Sequence, residues 1–134
     1  MKILLDTNFI LTCTKQKIDL FSELKKEFGN TAIIIPQQVL DELNKLLIKK
    51  SLNTTEKTAA KLSLDLIKKN LVFIIDIKTK NVDLGVAKYL NSNNDESFYL
   101  ATLDRNLKKR IKNQKTKFLT IRNKKRIEIQ DKNY

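Results

Sequence analysis

The sequence predicts an α/β domain, a three-layer α/β/α sandwich around a mostly parallel sheet. Two observations predict it. Short apolar runs alternate along the chain with longer amphipathic stretches, the rhythm of strand–helix–strand units. The runs are also continuously apolar rather than alternating, as in strands buried on both faces. The 134 residues, 41% of them apolar, suit one domain with a real core. Residues 1–130 are expected to form it, and 131–134 to fray.

Each element has a local reason. Lys2 to Leu5 is a short apolar run ending at Asp6-Thr7-Asn8, a polar trio that stops a strand and caps a helix. Residues 17 to 28 place Ile18, Phe21, Leu24 and Phe28 at helical spacing before Gly29-Asn30 stops the helix. Ala32 to Ile35 is the second strand, and Pro36 is expected just inside the next helix, whose stripe is Val39, Leu40, Leu43, Leu46 and Leu47. A polar break at 51–55 precedes a helix marked by Ala59, Leu62, Leu66 and Ile67. Strand Leu71 to Ile75, a polar connection, helix Val82 to Leu90 and a loop at Asn91 to Glu96 follow. Phe98 to Ala101 is the fourth strand and Asp104 to Ile111 a basic helix. Two β-like pieces, Phe118 to Ile121 and Arg126 to Ile129, end the chain.

Composition closes several chemistries. There is no histidine and Cys13 stands alone, so an internal disulfide, a Cys/His zinc site, a Ser-His-Asp triad and imidazole acid–base catalysis are all excluded. Hydrolysis must then use carboxylates, lysines or a hard metal, and carboxylate oxygens are the natural ligands of Mg²⁺ or Mn²⁺. No stretch approaches twenty apolar residues and no signal peptide is evident, so the chain is expected to be cytoplasmic, without a membrane partner. The net charge of +12 is uneven: from Arg105 to Tyr134 there are twelve Lys and Arg against two acids. A nearly neutral body with a basic C-terminal quarter suits a polyanion, and nucleic acid is the usual one.

In a parallel sheet all strands end at one edge, where ligands bind. Asp6 directly follows the first strand and Asp104 closes FYLATLD after the fourth, so two distant acids are expected to meet there. Glu42 shares the buried side of its helix with Val39, Leu43 and Leu46, and Asp83 opens the helix before the fourth strand. Taken singly, Asp6, Asp83 and Asp104 also read as helix caps, and Glu42 as a solvated helix residue. Taken together they are four acids aimed at one edge, whose mutual repulsion a divalent cation relieves.

These segments resemble the PIN-domain nuclease family. ILLDTNFIL is similar to the family's opening strand and Asp-Thr-Asn, IPQQVLDELNKL to its Pro, Val and Glu-Leu segment, and ATLDRNLKKRI to its Thr-x-Asp before a basic helix. The resemblance spans nearly the whole chain. It implies that Asp6, Glu42, Asp83 and Asp104 take the acidic, metal-binding places, with Asn8 and Thr102 as polar supports. Relatives open the third acidic segment with Asp-Asp-Ala-Ile, whereas VDLGVAKYL offers Asp83 followed by Leu84. If the second position is the ligand, the site keeps three acids, with Asp95 or Glu96 as possible replacements. FLTIRNKKRIEI is similar to archaeal and eukaryotic PIN proteins of ribosomal RNA processing, more than to VapC toxins.

The implied activity is endoribonucleolytic. One or two Mg²⁺ or Mn²⁺ ions, about 4 Å apart if there are two, would activate water for in-line attack on RNA, leaving a 3′-hydroxyl and a 5′-phosphate. Arg105, Lys108, Lys109, Arg110 and Lys112 are expected to hold the RNA backbone. A homodimer, an antitoxin or a ribosome-assembly partner is implied by the relatives. The alternatives are a VapC-type toxin, or a catalytically weak RNA-binding or assembly module on the same fold. A response-regulator-like receiver is disfavoured, because Asp-Thr-Asn supplies no paired acids.

Overall fold

The computed structural model describes residues 1–50 and 53–130. The expected frayed end at 131–134 lies outside the described residues, as do 51 and 52 of the expected break. In chain order the elements are β1 (Lys2–Leu5), α1 (Thr7–Lys15), α2 (Leu20–Phe28), β2 (Ala32–Pro36), α3 (Gln37–Ile48) and α4 (Thr54–Lys69). They continue with β3 (Phe73–Ile75), α5 (Val82–Ser92), β4 (Phe98–Ala101), α6 (Arg105–Arg110), β5 (Thr116–Arg122) and β6 (Arg126–Ile129).

Among the described residues the strands form one sheet in the order β3-β2-β1-β4-β5-β6, parallel except for β6, which turns back along β5. The chain moves outward from β1 through β2 to β3, then crosses to β4 and moves outward the other way. Because crossover connections are right-handed, that reversal puts α1 to α4 on one face and α5 with α6 on the other. It also leaves a crevice between β1 and β4, where the strand order reverses. The core fills both sides of this seam: Leu4, Leu5, Phe9, Ile35, Leu43, Leu90, Phe98, Leu100 and Leu107 are fully buried. No helix among the described residues is long and apolar enough to cross a membrane.

Several boundaries differ from those the sequence predicts. The helix expected over 17–28 begins at Leu20, because Lys17 adopts φ 60 and Asp19 caps the new helix with its side chain. Pro36 ends β2 and precedes α3 rather than lying inside it, with φ −61 and ψ 141. The expected strand from Leu71 shrinks to Phe73–Ile75, and Leu71 and Phe73 are exposed at this edge of the sheet. Helix α4 starts earlier than its apolar stripe, at Thr54, where the Asn53 side chain caps Glu56 N.

Gly85 sets the seat of α5. A Cβ at this position would come within 2.5 Å of Ile77 Cδ1 and Thr79 Cγ2 and 2.9 Å of Ile77 Cγ1. The loop before α5 therefore packs onto the helix backbone, fixing its first turn and with it Asp83. Gly85→Val should overpack this contact and lower stability by about 1–3 kcal/mol, seen as a reduced urea midpoint. An unchanged midpoint would mean that the loop does not need the contact.

Candidate active site at the sheet edge

β1 and β4 pair in register from Lys2 opposite Phe98 to Leu5 opposite Ala101, so the residues that follow them emerge side by side. Asp6 N donates to Ala101 O at 3.1 Å, carrying the ladder one step beyond the strands. Thr102, fully buried, joins the two chains: its hydroxyl donates to Asp6 Oδ2 at 2.9 Å and accepts from Asp104 N at 3.1 Å.

Both strand-end acids are caps as well. Asp6 Oδ1 accepts from Thr7 N at 2.8 Å, and Asp104 Oδ1 accepts from Asn106 N at 2.8 Å and Leu107 N at 3.3 Å. Capping uses one oxygen of each carboxylate and holds the group in place. Asp83 is not the cap of α5, a role taken by Asn81, whose Oδ1 accepts from Leu84 N at 3.1 Å. Asp83 instead reaches Asp104 in a carboxyl–carboxylate hydrogen bond. Glu42, half-buried on α3, accepts a short hydrogen bond from the Thr7 hydroxyl.

The electrostatics describe one neighbourhood. Burial pushes the Asp6 carboxyl up to about 6; hydrogen bonds from Thr102 and Thr7 oppose the rise, and the charges of Asp83 and Glu42 add to it. Asp83 is raised by burial, by the hydrogen bond and charge of Asp104 and by Glu42, against the pull of Arg110. Asp104 moves the other way. Burial alone would raise it, but hydrogen bonds from Leu107 N, Asp83 and Asn106 N, with Arg110 beside them, hold it below the usual carboxylate range. Within that pair Asp83 is the harder of the two to ionise and Asp104 the easier. None of the four acids forms a salt bridge among the described residues.

The donor set is all hard oxygen, the kind that Mg²⁺ and Mn²⁺ take. As the side chains stand, no three acids among the described residues are gathered tightly enough to clasp an ion. They form two linked pairs, Asp6–Thr7–Glu42 and Asp83–Asp104. The residue types and electrostatics fit a divalent cation, which would have to draw the pairs together.

Asp83, not Leu84, faces this site: Asp83 lines the cleft, whereas Leu84 is exposed on α5. Asp95 and Glu96 do not substitute. They precede β4, at the opposite edge of the sheet, and Glu96 pairs there with Lys2 at 3.3 Å. The cleft has a volume of about 850 Å³, with Asp6, Thr7, Asn8, Glu42 and Asp83 among its lining residues. Asn8 is exposed within it, and Thr102 lies beneath.

The basic residues divide. Arg105, Lys109, Arg110 and Lys112 are exposed, and Arg110 acts on the acids by its charge. Lys108 is turned inward: it is buried, its ammonium donates to Gln130 Oε1 and stands 5.8 Å from the Phe118 ring centroid. It braces α6 against the last strands and is not offered to a backbone phosphate. Two features were not singled out from the sequence. One is Thr7, which bridges Asp6 and Glu42; the other is Lys45, Lys49 and Lys80, which line the cleft beside the acids. The spacing of Lys45 and Lys49 from Glu42 along one helix is the signal that was there to find.

Residues 3–124 match the family model described as PIN like domain. The sequence is 30% identical over 129 residues to Ribonuclease VapC4 of Methanocaldococcus jannaschii, covering 96% of this chain and 95% of that protein. Among solved structures, the PIN domain endonuclease Utp24 superposes with a TM-score of 0.75 at 27% identity, over 96% of this chain and 90% of the other. VapBC2 from Rickettsia felis, solved bound to a promoter DNA fragment, gives 0.61 at 22% identity over 88% and 98%. The second structure speaks to the fold alone.

The titration of Asp6 predicts a pH dependence. Its folded carboxyl titrates near 6 against an ordinary 3.8, so the unfolded chain loses this proton first as the pH rises. The contribution is fully present below 3.8 and is lost as the pH rises through about 6. The charged carboxylate then costs on the order of 2–3 kcal/mol in the metal-free protein. Asp6→Asn keeps a capping side chain, and should raise metal-free stability at about pH 7 while flattening the profile below it. Urea denaturation across that range is the measurement, and a less stable variant at about pH 7 would contradict the cost assigned to Asp6.

Proposed function

We propose that this chain, which belongs to the PIN-like domain family of nucleases, is a metal-dependent endoribonuclease whose active site is the Asp6–Glu42–Asp83–Asp104 cluster. The observation that carries the reading is the convergence of Asp6, Glu42 and Asp83 on one cleft, with Asp104 beside Asp83 and no salt bridge to any of the four among the described residues. Kinship to Ribonuclease VapC4 and to the endonuclease Utp24 supports cleavage within RNA. Oxygen-rich acids without histidine support Mg²⁺ or Mn²⁺ as the cofactor.

Asp6, Glu42, Asp83 and Asp104 would hold the metal. When bound, it supplies positive charge against the developing charge of the scissile phosphodiester and lowers the pKa of the attacking water. Thr7 and Thr102 orient the Glu42 and Asp6 carboxylates through their hydroxyls, and the acids would still have to draw together around the ion. Lys45, Lys49 and Lys80 on one side, with Arg110 on the other, hold the RNA backbone across the acids and supply affinity rather than sequence choice. Asn8 offers an amide to the substrate from the cleft wall.

A processing role draws support from the likeness to Utp24 over nearly the whole chain. A toxin role is the second reading, favoured by the 30% identity to Ribonuclease VapC4. It implies an antitoxin that covers the cleft, and a homodimer of this chain is compatible with either role.

The test is cleavage of single-stranded RNA with Mn²⁺, Mg²⁺ or chelator. Asp6→Asn, Asp83→Asn and Asp104→Asn should each slow cleavage by about 100-fold or more, as loss of a metal ligand does, and chelation should abolish it. Lys45→Ala with Lys49→Ala should raise KM several-fold and leave kcat nearly unchanged. Cleavage that persists in chelator, or through Asp6→Asn and Asp104→Asn, overturns the metal mechanism. Binding without cleavage under any metal would favour the assembly module instead.

A further inference from the structure

We propose that the β5–β6 turn, Arg122 to Arg126, is a second nucleic-acid contact that grips the backbone of single-stranded RNA as it leaves the cleft. The proposal rests on the ribonuclease reading and adds a surface that the acid cluster does not include.

Position comes first. β5 runs parallel to β4 with Leu119 opposite Ala101, the last residue of β4. β5 then continues to Arg122, three residues farther at roughly 3.3 Å each, toward the edge that carries Asp104. The turn therefore extends from the same edge as the acids, beyond β4 from β1, while Lys45, Lys49 and Lys80 line the cleft beside α3. RNA seated over the acids between these groups has the turn in its path.

The charge is suited to phosphate. Arg122, Lys124, Lys125 and Arg126 are all exposed. Glu128 pairs with Arg122 at 2.8 Å and with Arg126 at 3.2 Å, one carboxylate holding both guanidinium groups at the base of the turn. The ammonium groups of Lys124 and Lys125 meet no acid among the described residues. No aromatic ring lies in the turn on which a base could stack, so its contacts go to the backbone.

The backbone adds an independent point. Asn123 and Lys124 both have left-handed φ, 56 and 55, and Lys125 N donates to Arg122 O at 3.1 Å. This is a three-residue hairpin loop whose first two residues are left-handed, a backbone conformation that Asn and above all glycine adopt most readily. Asn123 obeys that preference. Lys124 stands where glycine is least strained, so the fold itself gains nothing from a lysine there. Charge at the apex is what the residue supplies.

The experiment compares Lys124→Gly/Lys125→Ala with its parent on an Asp6→Asn background, so that RNA is bound and not cut. Fluorescence anisotropy is read with labelled oligouridylate of about 20 nucleotides and of about 4, across a salt series. The long RNA should bind about five- to tenfold more weakly, with a log–log salt slope shallower by about 1, while the short RNA is unaffected. Lys124→Gly alone should raise the melting temperature, which separates lost charge from lost folding. Unchanged affinity for the long RNA, as a turn serving an acidic protein would give, overturns the proposal, and so does an equal loss on both lengths. Wild-type protein is assayed in parallel for cleavage of the same RNA with Mn²⁺. Length-dependent weakening with no wild-type cleavage would uphold the contact and sink the nuclease reading.

Discussion

The structure depends on the parallel register of β1 against β4. Leu5 opposite Ala101 brings two segments nearly a hundred residues apart to one point of the sheet edge, and the buried Thr102 hydroxyl ties Asp6 to the backbone of Asp104 there. Every other feature of the site is placed relative to that seam. α1 starts at Thr7 because Asp6 caps it, α6 starts at Arg105 because Asp104 caps it, and Glu42 reaches the seam through Thr7. A slip by one residue would send the strand side chains to opposite faces and part the two acids.

The seam carries an electrostatic cost. A 4% exposed Asp6 beside Asp83 and Glu42, satisfied only by a hydroxyl and a backbone N–H, is unfavourable as an anion. Fold stability alone would favour a neutral residue at that position. Such strain is characteristic of sites organised for a ligand rather than for the empty protein. The acids stand as two pairs, one bridged by Thr7 and the other, Asp83 with Asp104, shifting each other's titration in opposite directions. Positive charge sits around the acids, on Lys45, Lys49, Lys80 and Arg110, without neutralising them by direct pairing. That is the distribution a polyanionic substrate and its cation both require.

Much of this was legible in the sequence. The apolar runs marked the strands, their alternation with helices implied a parallel sheet, and its common C-terminal edge placed the acids at the ends of KILL and FYLA; the strand order that sets β1 beside β4 was not legible. Side-chain direction was less legible. Asp83 rather than Leu84 faces the cleft because the loop packed on Gly85 fixes how α5 begins, and that contact is tertiary. Glu96 was a candidate until the strand direction put it at the opposite edge beside Lys2. Lys108 belongs to a basic run, yet Phe118 and Gln130 draw it inward, and no local pattern marks one lysine among several for burial. The break at Lys17 was hidden because the apolar spacing of the next helix starts before its cap does. Thr7 and the cleft lysines show their role only once α1, α3 and the loop before α5 are side by side.

The central claim is that the two acid pairs close on one divalent-cation site. Anomalous diffraction from crystals of the wild-type protein soaked in Mn²⁺ tests it most directly. The account predicts a manganese peak at the β1–β4 crevice, ligated by Asp6 and Asp104 with Glu42 and Asp83 turned toward it. A peak elsewhere, such as at Asp95 and Glu96 on the opposite edge, or no peak while the Asp83–Asp104 hydrogen bond persists, would contradict it.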